Sequence, residues 1–453
     1  MTHAWYEESV FYHIYPLGFC GAPEHNDYHS QNKERLFKIC EWIPHMKALG
    51  INTVYLGPIF ESESHGYDTV NYFELDRRLG TNETLKQLIK HLHQHDIRVV
   101  LDGVFNHVSR DFFAFQDLQQ HQQHSIFTEW FCEINFQQRS PFGDPFSYEG
   151  WNDHFNLVKL NVTNPQVEEH LFKAVRLWIE EFEIDGLRLD VADVLNKQFM
   201  KRLASYTKKI KKDFWLMGEV IHGDYTQWAN PDMLHATTNY ECYKGLYSSH
   251  NDHNYFEIAY SLNRLFNQEH GIYRGLYLYN FADNHDVNRV ASTLHDPAHL
   301  YPLYILLFTI PGVPSLYYGS EWGLEGERQH NSDHNLRPEL QLESMGTQKH
   351  ADLRAAIIHI SYLRQQSPAL QHGTYQQLFV ASEQFAFLRQ YEQEKIIVVV
   401  NACQQPVTVH IPIAVLGQTV LDLLNHKQCF QCHHGELSLE IPGCWGRVLK
   451  VLE

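Results

Sequence analysis

Side chains suited to acid–base or nucleophilic chemistry follow four apolar, strand-like runs of this sequence. The four segments read Asp102-Gly-Val-Phe-Asn106-His107, Gly186-Leu-Arg188-Leu-Asp190, Gly218-Glu219-Val220 and Phe281-Ala-Asp283-Asn284-His285-Asp286. A single aspartate after a strand is usually a helix cap or loop residue, and a single histidine is usually a hydrogen-bonded core residue. Four such ends in one chain are typical of a catalytic site, because carboxyl and imidazole groups transfer protons and attack electrophiles.

The elements that position these side chains alternate between strand-like and helix-like segments. Apolar runs predict eight strands, at 10–15, 53–56, 99–101, 187–189, 214–217, 234–237, 276–281 and 315–318. Helical spacing separates them, as in the segment that Asn164 caps and Pro165 begins. The alternation predicts a parallel sheet, closed at this length into a (β/α)8 TIM barrel with catalytic residues at the C-terminal strand ends. An open, doubly wound sheet is the alternative that periodicity leaves open.

Two regions interrupt the alternation and predict further domains. Residues 108–159, after the third strand, are irregular and rich in Phe and Gln, and we interpret them as an inserted lobe. From residue 367 onward, short β-rich runs are separated by Pro, Gly and Asn, which predicts a C-terminal antiparallel β-sandwich at 367–453. The predicted barrel therefore comprises residues 1–107 and 160–366.

Charge and hydropathy exclude several classes of partner. The chain has 54 acidic residues against 36 Lys and Arg, a net charge of −18, which repels polyphosphates and anionic membranes. We therefore expect no nucleic-acid partner and no membrane association. The longest apolar run, at 303–310, is too short to cross a bilayer, and the first ten residues lack the cationic start of a signal peptide. The eight scattered cysteines fit reduced thiols, so we expect a cytoplasmic protein.

The strand-end segments resemble the conserved regions of the α-amylase superfamily, glycoside hydrolase family 13. Further similar segments are Gly66-Tyr67-Asp68, Leu157-Val-Lys159-Leu160-Asn161 and Gly312-Val-Pro-Ser-Leu-Tyr-Tyr-Gly319. The resemblance runs from about Val10 to the end of the chain. In parts it is closest to the neopullulanase and cyclomaltodextrinase branch, which usually carries an extra N-terminal β-domain. Because this chain begins almost directly with the first barrel strand, we expect that domain to be absent.

The resemblance implies a role for each of three carboxyl groups. Asp190 is expected to be the nucleophile, Glu219 the general acid/base, and Asp286 the group that stabilises the transition state. A retaining glycosidase needs the first two groups about 5–5.5 Å apart for a double displacement.

The resemblance also implies a set of sugar-binding residues: Tyr67, His107, Arg188, His285, Asp333 and Arg337. Arg188 lies two residues before Asp190, on the same side of its strand, where it can keep Asp190 ionised. Asp102 is expected to be the internal partner of Arg188. Asp333 and Arg337 resemble a pair found near the non-reducing side of the cleft in some relatives, with a surface ion pair as the alternative.

No cofactor is expected to be required. Many α-amylases bind a structural calcium, and Asn106 matches one of its usual ligands, so a calcium bound there is the alternative, although Val194 stands where the family often has a histidine. Cys429-Phe-Gln-Cys432-His433 has the spacing of a haem attachment motif, yet no second ligand pair follows at zinc-finger spacing, so we expect no metal or haem there.

The sequence therefore predicts a retaining glycoside hydrolase that cleaves α-1,4-glucosidic bonds in maltooligosaccharides, cyclodextrins or related α-glucans. The same three carboxylates would also serve a glucanotransferase, or a glucosidase specific for α-1,6 bonds or disaccharides. A non-catalytic carbohydrate-binding protein is the alternative of another class, because a fold does not by itself imply catalysis.

Overall fold

The computed structural model describes residues 3–330, 332–346, 350–413 and 419–452. Within these ranges, eight short parallel strands, almost entirely buried, form the central sheet. They are β1 (Phe11–Ile14), β2 (Thr53–Leu56), β3 (Arg98–Gly103), β4 (Gly186–Leu189), β5 (Trp215–Gly218), β6 (Ala236–Thr237), β7 (Tyr279–Phe281) and β8 (Val313–Tyr317). The sheet order is β6-β5-β4-β3-β2-β1-β8-β7.

A bridge between Thr238, directly after β6, and Tyr279 of β7 joins the two ends of this sheet. The predicted (β/α)8 barrel is therefore confirmed, and the open doubly wound sheet is excluded. The strand bounds differ from the predicted ones by up to three residues. The largest difference is at β7, because Leu276 donates its N–H to Tyr273 in a turn before the strand begins.

The chain forms two compact units. The N-terminal unit comprises Ile14–Ile43 and Thr53–Thr237, and the C-terminal unit comprises Met1–His13, Pro44–Asn52 and Thr238–Glu453. The predicted boundaries of barrel, lobe and sandwich stay a prediction.

Strands β2 to β6 of the N-terminal unit are covered by amphipathic helices. The longer helices are Asn82–Gln94, Pro165–Glu180 and Lys197–Ile210. The Asn164 side chain accepts the Gln166 N–H at the start of the second helix, as the sequence predicts. The buried face of the helix Pro165–Glu180 consists of Val167, Leu171, Ala174, Val175, Trp178 and Ile179.

The region predicted as a lobe contains a helix, Phe113–His121, and two strands, Gly150–Trp151 and His154–Lys159. These strands form an antiparallel sheet with a third, His107–Ser109, which begins four residues after β3 ends. The pairing of His107 with Lys159 therefore ties the start of the region to its end.

Strands β7 and β8, most of β1 and several helices belong to the C-terminal unit. The longer helices are Tyr240–Asn251, Tyr255–Phe266, Leu300–Thr309 and Ala351–Gln366. Leu300–Thr309 is buried at nearly every position, which explains why its sequence is a continuous apolar run. Among the described helices, none is both long and apolar enough to cross a membrane.

The chain from Thr374 onward forms two antiparallel sheets around one apolar core, which confirms the predicted sandwich. Its described strands are β9 (Thr374–Val380), β10 (Gln384–Tyr391), β11 (Glu394–Asn401), β12 (Val407–Pro412), β13 (Thr419–Asp422), β14 (Cys429–Gln431), β15 (Glu436–Ile441) and β16 (Trp445–Leu452). One sheet has the order β9-β10-β11-β16-β13-β14, and the other pairs β12 with β15. Side chains from both sheets, including Ile397 and Ile411, form the core.

Candidate active site

The guanidinium of Arg188 connects three carboxylates at the C-terminal ends of β3, β4 and β5. Nη1 lies 2.9 Å from Oδ1 of Asp102 and 2.9 Å from Oδ1 of Asp190, and Nη2 lies 2.8 Å from Oε2 of Glu219. The strand register explains this arrangement, because Arg188 pairs with Asp102 of β3 on one side and with Met217 of β5 on the other. Glu219 lies two residues after Met217, and Asp190 lies two residues after Arg188. Burial lowers the pKa of Arg188, but Asp102 and Glu219 outweigh that effect and raise it well above its usual value. The arginine is therefore a permanent cation.

The backbone at Val191 adds a second link between the two predicted catalytic carboxylates. Val191 follows Asp190 directly, has a φ of 41°, and donates its N–H to Oε2 of Glu219 at 3.1 Å. A left-handed conformation is uncommon for a β-branched residue and costs about 1–3 kcal/mol. Side-chain type alone gives no reason to expect this conformation at a valine, so sequence reasoning missed it.

Asp102 also holds the ring of Tyr67. Its Oδ2 accepts hydrogen bonds from the hydroxyls of Tyr55 at 2.8 Å and Tyr67 at 3.0 Å, and the Arg188 cation lies 5.9 Å from the centre of the Tyr67 ring. Asp102 is thus the internal partner of Arg188, as the sequence predicts. The same contacts fix the orientation of the aromatic ring that is expected to stack on a sugar.

His107 presents a neutral imidazole. Burial, followed by the neighbouring His65, lowers the pKa of His107 to about 3. Its Nδ1 lies 3.2 Å from Nδ2 of Asn106, and its buried Nε2 has no hydrogen-bond partner within the described ranges. Trp151 lies against it, with ring centroids 5.6 Å apart, and sequence reasoning missed this tryptophan because it lies in the irregular lobe region. A neutral ring nitrogen with unused hydrogen-bonding capacity suits a sugar hydroxyl.

The residues expected near the family's calcium do not fit such an ion. The Asn106 amide nitrogen faces His107, and Val194 is an exposed apolar side chain. Calcium requires several oxygen ligands, and these two residues provide at most the side-chain oxygen of Asn106.

In the C-terminal unit, the loop after β7 holds Asp286 through both of its carboxylate oxygens. Nε2 of the buried His285 lies 2.9 Å from Oδ2, and Nη2 of Arg337 lies 3.1 Å from Oδ1. Arg337 also donates to the His285 carbonyl at 3.0 Å and forms the predicted pair with Asp333, at 3.1 Å. Because Arg337 is mostly buried and binds Asp286, the pair is more than a surface contact.

Buried hydrogen bonds made by Asp283 and Arg289 stabilise this loop. Oδ2 of Asp283 accepts hydrogen bonds from the Val290 N–H at 2.9 Å and from the Ser320 hydroxyl at 2.8 Å. Arg289, which is fully buried, donates to the carbonyls of Tyr318 at 2.6 Å and Leu336 at 2.9 Å. Sequence reasoning missed Arg289, although a lone arginine in the run Val287-Asn-Arg289-Val-Ala is the kind of signal that could have indicated it.

Known protein families and individual relatives match nearly the whole chain. Residues 14–358 match the alpha amylase catalytic domain, and residues 375–443 match the C-terminal domain of maltogenic amylase. A cyclomaltodextrinase from Bacillus sp is 31% identical over 88% of this chain and 73% of its own length. A maltogenic alpha-amylase from Bacillus acidopullulyticus is 30% identical over 94% of this chain and 74% of its own length.

Two solved structures match this chain over almost the full length of both compared chains. The debranching enzyme of Nostoc punctiforme, soaked with acarbose, is 28% identical with a TM-score of 0.82, covering 99% of each chain. The cyclic alpha-maltosyl-(1→6)-maltose hydrolase of Arthrobacter globiformis, in complex with that sugar, is 25% identical with a TM-score of 0.83, covering 100% of each chain.

Proposed function

This chain belongs to the alpha-amylase family of glycoside hydrolases, and we propose that it cleaves α-1,4-glucosidic bonds in maltooligosaccharides, cyclodextrins or related α-glucans by double displacement. The observation that carries the proposal is the guanidinium of Arg188, which binds both Asp190 and Glu219. Two carboxyl groups bound to one guanidinium are held close together, as a retaining mechanism requires.

Asp190 is the nucleophile of this proposal. It is 6% exposed, and Nη1 of Arg188 donates to its Oδ1. A hydrogen bond from a permanent cation stabilises the carboxylate over the carboxylic acid, so the side chain is ionised and able to attack the anomeric carbon. The covalent glycosyl intermediate removes that negative charge, and Arg188 then retains Asp102 and Glu219 as partners.

Glu219 is the general acid and then the general base. Arg188 and the Val191 N–H both donate to Oε2, and these two contacts fix the orientation of the carboxyl group. Asp190 and Glu219 share one cation, and repulsion between the two carboxylates disfavours the state in which both are ionised, so we assign the proton to Glu219. When Asp190 becomes esterified, Glu219 is free of that repulsion and accepts a proton from water.

Asp286 is the third carboxylate, and it follows the C-terminal end of β7. Catalytic residues of such barrels come from this end of several strands. His285 and Arg337 hold its two oxygens in fixed directions, so it can accept hydrogen bonds from sugar hydroxyls and favour the distorted ring of the transition state. The neutral His107 and the oriented Tyr67 ring are proposed to bind a sugar of the substrate.

Cleavage of α-1,6 bonds is the second candidate. The debranching enzyme and the cyclic alpha-maltosyl-(1→6)-maltose hydrolase match this chain end to end, whereas this chain covers 73% of the length of the Bacillus cyclomaltodextrinase.

We propose that no cofactor is required, because the residues expected near the family's calcium do not fit that ion. A relative from Bacillus subtilis is named intracellular maltogenic amylase, and we propose the same compartment here.

Product analysis over time tests the proposal. Maltoheptaose, β-cyclodextrin, pullulan and cyclic maltosyl-maltose are each incubated with wild type, Asp190→Asn and the nearby control Asp193→Asn. We expect short α-sugars whose first-formed anomer is α, no turnover by Asp190→Asn, and normal turnover by the control. Release of maltotriose from pullulan, which requires hydrolysis of its α-1,6 bonds, with maltoheptaose left intact, would favour the second candidate. Absence of turnover by wild type, or an active Asp190→Asn, would contradict the hydrolase mechanism.

A further inference from the structure

Three potential metal ligands of different chemical types meet in the C-terminal unit, apart from the residues proposed for catalysis. A carboxylate oxygen of Asp296, a ring nitrogen of His299 and Sγ of Cys444 all lie within 4.8 Å of one another. Asp296 caps the short turn Pro297–His299, which leads into the buried helix Leu300–Thr309. Cys444 lies in the turn between β15 and β16 of the sandwich. We call these three residues the Asp296 cluster.

His299 is buried, and its hydrogen bonding matches that of a metal-bound imidazole. It is 1% exposed, and its Nε2 lies 3.0 Å from the carbonyl oxygen of Ala402. A carbonyl only accepts, so Nε2 carries the proton and Nδ1 keeps its lone pair. In the described part of the chain Nδ1 has no hydrogen-bond partner. Metal-ligating histidines typically donate their other ring N–H to a carbonyl or carboxylate in this way.

Asp296 and Cys444 are also held in place. Gln404 donates to Oδ2 of Asp296 at 2.9 Å, and the Ala298 N–H donates to Oδ1 at 2.9 Å. The backbone of Cys444 has a φ of 44°, an uncommon left-handed conformation for a residue with a side chain. Burial raises the pKa of the Cys444 thiol to about 11, which argues against a thiolate nucleophile in the metal-free protein.

We propose that the Asp296 cluster binds one zinc-like divalent cation, with water completing a tetrahedral shell. Carboxylate, imidazole and thiolate are the ligand types that zinc prefers, and binding displaces the thiol proton. The two anionic ligands would neutralise the charge of the ion. Such a site would connect the turn before a buried barrel helix to the edge of the sandwich, independently of the glycosidase function.

Two other groups of candidate ligands are poorer. His3, Glu7 and His372 also lie close together, but the two imidazole rings are stacked at 3.6 Å with an interplanar angle of 14°. Their lone pairs therefore lie in two nearly parallel planes, which does not favour binding to one ion. In the Cys429-Phe-Gln-Cys432 motif, Cys432 packs against the sandwich core whereas Cys429 is exposed, so the two thiols have different surroundings.

Cobalt binding tests the proposal, because Co²⁺ bound by a thiolate gives a charge-transfer band in the near ultraviolet. The full-length protein is stripped of metal, kept reduced with a phosphine, and titrated with Co²⁺ and then Zn²⁺. We expect one equivalent of Co²⁺ with the thiolate band in wild type and in the control Cys403→Ser, and displacement by Zn²⁺. Zn²⁺ should raise the Tm of both proteins.

The variants separate this site from other thiols. Cys444→Ser should lose the band and the Zn²⁺-dependent rise in Tm, and Gln404→Ala should bind about tenfold more weakly. Asp296→Asn provides a second test if Cys444→Ser does not fold. The proposal is overturned if wild type shows no band, or if Cys403→Ser removes the band. It is also overturned if the band persists in Cys444→Ser but disappears in the double variant Cys429→Ser/Cys432→Ser.

Discussion

Replacing Arg188 with lysine tests the proposed catalytic arrangement most directly. The arginine fork contacts three carboxylates, with distances of 2.9, 2.9 and 2.8 Å to Asp102, Asp190 and Glu219. Lysine keeps the positive charge but presents it as a single point on a shorter reach, so it can preserve roughly one of these contacts.

The expected size of the effect follows from the contacts that are lost. Each hydrogen bond to a charged group contributes about 1.5–3 kcal/mol, so two lost bonds amount to about 3–6 kcal/mol. Arg188 contacts these carboxylates in the resting enzyme as well as in the transition state, so only part of this loss raises the activation free energy. We therefore expect the transition state to lose about 2–4 kcal/mol, which lowers kcat/KM about 30- to 1,000-fold.

The assay is kcat/KM on maltoheptaose as a function of pH, with Tm and circular dichroism as checks of folding. Loss of a donor to the nucleophile makes protonation easier, so the acidic limb of the profile should move to higher pH. Arg98→Lys is the matched control, because Arg98 pairs with Asp185 and its side chain is 40% exposed, so its effect should stay below about twofold. A folded Arg188→Lys enzyme with kcat/KM within about threefold of wild type and an unmoved acidic limb would refute the reasoning.

Three further predictions follow from single contacts or single buried side chains. Arg337→Lys removes the fork that holds Asp286, and kcat/KM should fall about 10- to 100-fold with little change in Tm. Burial lowers the pKa of His250 to about 3, from 6.5 when unfolded, so its contribution to stability is complete above pH 6.5 and is lost as the pH falls toward 3. His250→Gln should therefore lose about 2 kcal/mol less than wild type between pH 7 and pH 5, measured by urea unfolding. Ile397→Ala, in the sandwich core, should lower the free energy of unfolding by about 2–5 kcal/mol.

Controls and contrary results are specific to each prediction. Arg328→Lys alters an exposed arginine that also binds Asp333, so equal losses of kcat/KM in both arginine variants would argue against a direct effect on Asp286. For His250→Gln, a pH dependence of unfolding identical to wild type would show that the histidine does not contribute to acid sensitivity. Thr408→Ala, at an exposed sandwich position, should be nearly neutral, and a matching loss there would contradict the role of core packing.

The barrel, the sandwich and the strand-end positions of the candidate carboxylates could all be predicted from sequence. Buried parallel strands require apolar runs, and the position where each run stops marks the strand end, so Asp190, Glu219 and Asp286 are visible locally. The contact between Arg188 and Asp190 was also predictable, because side chains two residues apart share one face of a strand. The domain boundaries and the roles of the site residues stay predictions.

Tertiary structure alone decided which groups share a partner. The register of β3, β4 and β5 brings one guanidinium to three carboxylates, and backbone conformation turns the Val191 N–H toward Glu219. Likewise, Trp151 reaches His107, and Cys444 reaches Asp296, across long stretches of chain. A sequence pattern reports local preferences of period two or 3.6, whereas these contacts depend on register, turn geometry and packing between distant segments, which no local pattern encodes.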